Sequence, residues 1–170
     1  MGSLSIQKGK RAEREIASRL NIVTAKVCEK LGVDLVKLKR NLSQTQNGGF
    51  DLEGIDWLAP EIKHHKQPAL NTWWYQTCRQ AGPLDAGLTG ANAATKFKRE
   101  PVLIWKQHGG QWRVRMFGRL EIEPGRRLRV VTDISMADFE AWFERKLEVE
   151  LKKTLEATLG LEEGLFPTSL

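Results

Sequence analysis

From Phe139 to Leu159 every fourth residue is apolar: Phe139, Phe143, Leu147, Leu151, Leu155 and Leu159. Only a helix gathers such positions onto one face, and this line lasts about six turns. Ser135, with Asp138 three residues on, supplies a cap of the capping-box type. A second line, Ile16, Leu20, Val23, Val27 and Leu31, recurs at three- and four-residue steps and predicts a helix over 8–31 that stops at Gly32. Between these helices the pattern changes. Residues 33–39, Phe50–Ile55, Trp57–His64, Pro101–Gln107, Gln111–Phe117 and Arg126–Val131 read as short strands. Gly54 and Asp56 turn the second into the third, and His108-Gly109-Gly110 joins the fourth to the fifth as a hairpin. Residues 70–81 predict a helix ending at Gly82-Pro83. Asn41 to Gly49 and 82–99 read as loops. The order argues a mixed α/β domain built on one layered sheet.

With 170 residues the chain is about one domain long. No apolar run nears the roughly 18 residues of a membrane span, and the basic N-terminus has no apolar h-region, so neither insertion nor export is expected. Cys28 and Cys78 form no CxxC pair, and the expectation is two reduced, buried thiols in a cytoplasmic protein. The net charge of +6 is unevenly spread. Residues 1–50 carry ten Lys/Arg and four Asp/Glu, and 61–130 carry 13 and five; 131–170 reverse the balance with four and nine. Two basic stretches thus bracket the small acidic segment 51–60. Such an arrangement suits an enzyme acting on a polyphosphate, with cations to hold the backbone and carboxylates to hold a metal; a solvated basic face is the plainer alternative.

Glu61-Ile62-Lys63 lies on a strand, so Glu61 and Lys63 share a face and Ile62 points away. If the turn at Gly54–Asp56 forms, Asp51 comes to lie beside Glu61. Two carboxylates and an ammonium together are costly unless a cation compensates, and hard oxygen ligands suit Mg²⁺ or Mn²⁺. Glu13, seven residues before Leu20, falls within the apolar stripe of the first helix, whereas Glu15 is turned outward. Glu13 either serves the helix dipole or reaches the same site.

The opening stretch Lys8-Gly9-Lys10-Arg11-Ala12-Glu13-Arg14-Glu15-Ile16-Ala17-Ser18-Arg19-Leu20 resembles the first helix of archaeal-type and phage Holliday-junction resolvases. Gly48-Gly49-Phe50-Asp51-Leu52 followed by Glu61-Ile62-Lys63 is similar to the core motif of the PD-(D/E)XK nuclease superfamily, with Phe50 in place of the proline. The resemblance spans about residues 8–118 and implies a restriction-endonuclease-like core. This would be a mixed β-sheet flanked by helices over 1–134, with an extra C-terminal helix and tail, 135–170, packed on the same domain or on a dimer partner. It implies a Mg²⁺- or Mn²⁺-dependent endonuclease that hydrolyses DNA phosphodiesters with metal-activated water, resolving four-way junctions as a homodimer in a bacterial or phage-infected cell. Other branched or linear DNA, or binding without cleavage, are the alternatives. In this resemblance Asp51, Glu61, the Ile62 carbonyl and Glu13 are the metal ligands, Lys63 positions the water, and Gln76 is a further catalytic residue. Glu53, on the Asp51 side of its strand, is a substitute ligand. No organic cofactor is implied.

Around this core, Lys8, Lys10, Arg11, Arg40, Ser43, Gln46, His65 and Lys66 are the candidates for phosphate contacts. His65 shares the face of Glu61 and Lys63 and so can touch phosphate or metal, although a partly exposed, structural role suits it better. The three His and two Cys lack the spacing of a zinc site. Trp73, Trp74 and Tyr75 are consecutive, so at least one must be exposed on a helix, facing a partner subunit or DNA. Trp57, Trp105, Trp112 and Trp142 fit core positions.

Overall fold

The computed structural model describes residues 2–42, 49–84 and 96–163; side chains are described from residue 7 to residue 159. The elements run α1 (Gly2–Leu31), β1 (Lys39–Arg40), β2 (Leu52–Glu53), β3 (Leu58–His65), α2 (Leu70–Gln80), β4 (Glu100–Gln107), β5 (Arg113–Glu123), β6 (Arg126–Ser135) and α3 (Met136–Glu163). The architecture is α/β: a mixed four-stranded sheet in the order β3-β4-β5-β6, flanked by helices. β3 and β4 are parallel, with α2 as the crossover, and the other two pairings are antiparallel. β1 and β2 form a separate two-stranded pair. Among the described residues no helix is long and apolar enough to cross a membrane.

Two apolar layers cover the sheet. On one face Ile62, Val102, Ile104, Val114 and Met116 meet Ile16, Leu20 and Val27 of α1 and Phe139, Phe143 and Leu147 of α3. On the other, Leu103 and Phe117 meet Trp73, Trp74 and Cys78 of α2. The C-terminal helix thus packs into the same core as α1. Phe139 and Phe143 are fully buried, and truncating either to alanine is expected to cost about 3–5 kcal/mol. Both cysteines are buried and free. Burial pushes the Cys78 thiol up to about 12 and so removes it from nucleophilic chemistry.

The predicted cap of α3 forms. The Asp138 N–H donates to Ser135 Oγ at 3.1 Å, and the Ser135 hydroxyl donates to the Asp138 carboxylate at 2.6 Å. Other expectations need correcting. Residues 33–38 are not strand, because only Lys39 and Arg40 find a partner, in β2. β5 runs six residues past Phe117, pairing with β6 to the Gly125 turn, although β4 accompanies it only as far as Arg115. The outer half of this hairpin leaves Leu120, Ile122 and Leu128 exposed. Of the predicted loop over 82–99, residues 85–95 lie outside the described residues; Pro83 and Phe97 bridge its base.

Candidate functional site

The site is built on the free edge of β3. A strand residue directs its N–H and C=O to the same side, so Pro60 and Ile62 present theirs away from β4. Pro60 costs nothing here, since the missing N–H falls on the unladdered side. The Pro60 carbonyl accepts the Asp51 N–H at 2.9 Å, and the Ile62 N–H donates to Asp51 Oδ2 at 2.5 Å. A side chain thus takes the place of the next rung of a ladder, which pins the Asp51 carboxylate to the strand carrying Glu61. The Asp51 carbonyl in turn accepts the Asn41 N–H at 2.9 Å. Gly54 makes this close stacking possible: at φ 115° it lies against Lys37, and a Cβ there would come 2.3 Å from the Lys37 carbonyl oxygen.

Glu61 and Lys63 project to the α2 face, in register with Leu103 and Trp105. The Glu61 carboxylate is buried, 1% exposed, and forms an ion pair with the Lys63 ammonium. Neither of its oxygens has a well-formed hydrogen bond. Burial pushes the Glu61 carboxyl up from the usual carboxylate range; Lys63 and the Gln80 amide oppose this, and the charge of Glu13 adds to it. Glu13 therefore acts on the same group from α1. Its own carboxylate, on a side chain only 15% exposed, is held by the Arg40 guanidinium.

Four of the expected site residues thus lie around β3: Lys63 pairs with Glu61, Asp51 accepts from the Ile62 N–H between them, and Glu13 acts on Glu61 through its charge. Gln76 is not among them. It is exposed, and the glutamine that reaches Glu61 is Gln80, one turn later. Helix phase explains the difference: Gln80 lies seven residues, about 20° short of two turns, from the buried Trp73, whereas Gln76 is rotated further out. That seven-residue spacing was the available signal. Glu53 pairs with Lys39 at 3.5 Å and takes no part. Arg40, expected at phosphate, is engaged with Glu13. Lys10, Arg11 and Lys66 are exposed, while Ser43 and Gln46 lie outside the described residues. The His65 ring is exposed and packs on Trp73 at 5.1 Å; burial, then Lys63 and Lys8, hold its imidazole below the usual range. Tyr75 is the exposed member of its aromatic triplet, since Trp73 and Trp74 are buried.

Among the described residues no group of three or more His, Cys, Asp or Glu side chains is drawn together tightly enough to hold a metal ion. The donor chemistry at β3 nevertheless fits a hard divalent cation. Asp51 and Glu61 are carboxylates, the Ile62 carbonyl points to the Asp51 edge, and the oxygens of Glu61 are buried with Lys63 as their charge partner. Comparison of the chain with family models, curated proteins and solved structures finds no match.

Proposed function

We propose that this chain is a metal-dependent DNA endonuclease with a restriction-endonuclease-like core, acting on branched DNA of the four-way-junction type. The observation that carries the reading is a buried carboxylate, Glu61, met by the Lys63 ammonium and the Gln80 amide, with Asp51 on the same strand edge and the charge of Glu13 acting on it, in a strongly basic chain. Burying that many charges at one strand edge costs stability, and such a cost is characteristic of a site that does chemistry. A binding protein gains nothing from acids facing phosphate.

Each side chain has a task in phosphodiester hydrolysis. Asp51 and Glu61, with the Ile62 carbonyl, would hold Mg²⁺ or Mn²⁺, which supplies Lewis-acid stabilisation of charge on the phosphate. Lys63 offsets the Glu61 charge and presents an ammionium to the attacking water and the developing negative charge. Gln80 holds the Glu61 carboxylate from the α2 side, and Arg40 holds Glu13 from β1. The Ile62 N–H fixes Asp51, so its carboxylate keeps one orientation.

The test is direct. Purified protein is incubated with a synthetic four-way junction, a linear duplex and a single strand, in Mg²⁺ and in EDTA. Paired symmetric nicks on the junction alone, only with Mg²⁺, are expected, and would favour a two-fold dimer. Cutting of all three substrates would make it a general nuclease, and binding without cutting would remove the catalytic reading.

A further inference from the structure

The opposite face of the same strand ends carries a second group of polar side chains. His64 of β3 and Lys106 of β4 are register partners on the α1 face. His108, in the turn after β4, stacks its ring on His64 at 5.9 Å, and its Nδ1 accepts from the Lys8 ammonium of α1 at 3.3 Å. Lys106 sits over the Trp112 ring at 5.3 Å, and Trp112 packs against His64 at 6.0 Å. Two lysines and two imidazoles thus converge from α1, β3, β4 and the β4–β5 turn. Among the described residues, Glu15 is the acid that acts on His64, and its carboxylate already accepts the Trp112 indole N–H at 2.6 Å. The His64 Nε2 is buried and has no hydrogen-bond partner.

We propose that Lys8, His64, Lys106 and His108 form an oxyanion site that grips a backbone phosphate of the nucleic acid, beside the cleavage site. The inference rests on the nuclease reading, which provides the polyphosphate. Two ammonium groups brought together from α1 and β4 repel, and an anion of tetrahedral oxygens relieves that repulsion while accepting from them and from the imidazole N–H groups beside them. The site adjoins the chemistry: the His65 carbonyl accepts the His108 N–H at 3.0 Å, and Lys8 acts on the imidazoles of both His64 and His65. A strand gripped here would be held at the end of β3 while another of its phosphates lies at Glu61 and Lys63. Such contacts give affinity and register without base readout.

The experiment measures junction binding across a salt series, using Glu61→Gln protein to suppress cleavage. Lys8→Ala and Lys106→Ala are each expected to reduce the slope of log affinity against log salt by about 1. Lys106→Arg should restore the slope, and Lys26→Ala, on the far half of α1, should leave it unchanged. An unchanged slope in both lysine variants, with binding otherwise intact, overturns the site and spares the nuclease reading. Failure of the parent protein to bind any DNA at low salt removes both. A parallel titration follows the His64 and His108 ring protons by NMR with inorganic phosphate and with a short duplex. Shifts with the duplex support the backbone assignment; shifts at low phosphate concentration with none from the duplex replace it with a free-anion site.

Discussion

The two halves of α1 carry similar charges in different surroundings. In the first half, Glu13 is mostly buried and held by Arg40, close enough to Glu61 for its charge to raise the Glu61 pKa. In the second, Arg19, Lys26 and Lys30 reach Glu140, Glu144 and Glu148 of α3 at 2.7, 2.8 and 2.8 Å, forming a ladder between helices that run in the same direction. The ladder is water-facing, with Lys26 67% exposed, so solvent screens its rungs and each contributes little. The β3 cluster, by contrast, is dehydrated, and burial pushes the Glu61 carboxyl up from its ordinary range. Ion-pair geometry alone would not tell the two regions apart; burial does, and it separates the residues proposed for chemistry from those that only dock a helix.

The strongest way to break the contrast is to remove charge from the cluster. Asp51→Asn and Lys63→Ala are expected to leave junction binding largely intact and to lower cleavage roughly 10²–10³-fold or more, measured by single-turnover nicking. Retained cleavage would make the cluster no more special than the ladder. The next effect concerns pH. Because the Glu61 pKa is raised in the folded state, the native protein binds more protons than the unfolded chain between the two pKa values. Stability therefore falls as pH rises through that window, and Glu61→Gln should flatten the fall when Tm is followed from pH 4 to pH 8. Gln80→Ala sharpens the picture further. Removing an amide that favours the ionised carboxylate should move the acid limb of the pH–rate profile upward, and by more than Gln76→Ala does.

The smallest effects belong to the ladder. Lys26→Ala is expected to cost less than about 1 kcal/mol in urea unfolding and to shrink further at high salt. Glu148, held down to about 2 by hydrogen bonds from Lys152 and Lys30, behaves oppositely to Glu61. Its contribution is present above the ordinary carboxylate range and is lost as pH falls toward its folded value. A Lys30→Ala, Lys152→Ala double variant should accordingly lose stability relative to the parent at pH 7 and converge with it in acid.

Much of this was legible in the residues because two periodicities are hard to counterfeit. Alternation put Glu61 and Lys63 on one face, and the 3.6-residue period put Glu13 on the buried side of α1 and Glu15 outside it. Legibility fails where a side chain's role depends on a partner distant in sequence. Nothing around Arg40 announces Glu13, and nothing around Asp51 announces that its carboxylate replaces a ladder rung to Ile62. Gln80 was missed for a different reason: at the margin of a helix face, one turn separates a glutamine that reaches the sheet from one in water. The outer half of the β5–β6 hairpin was hidden because its strands lie beyond the helices and mix charged with apolar residues on exposed faces.

The central claim is that Glu61 is a buried carboxylate kept for catalysis. It is tested most directly by comparing parent and Glu61→Gln proteins on one labelled four-way junction in Mg²⁺, with binding and nicking read from the same samples. Equal occupancy of the junction is expected, with nicks from the parent alone and none from either protein in EDTA. Nicking by Glu61→Gln at the parent rate would contradict the claim.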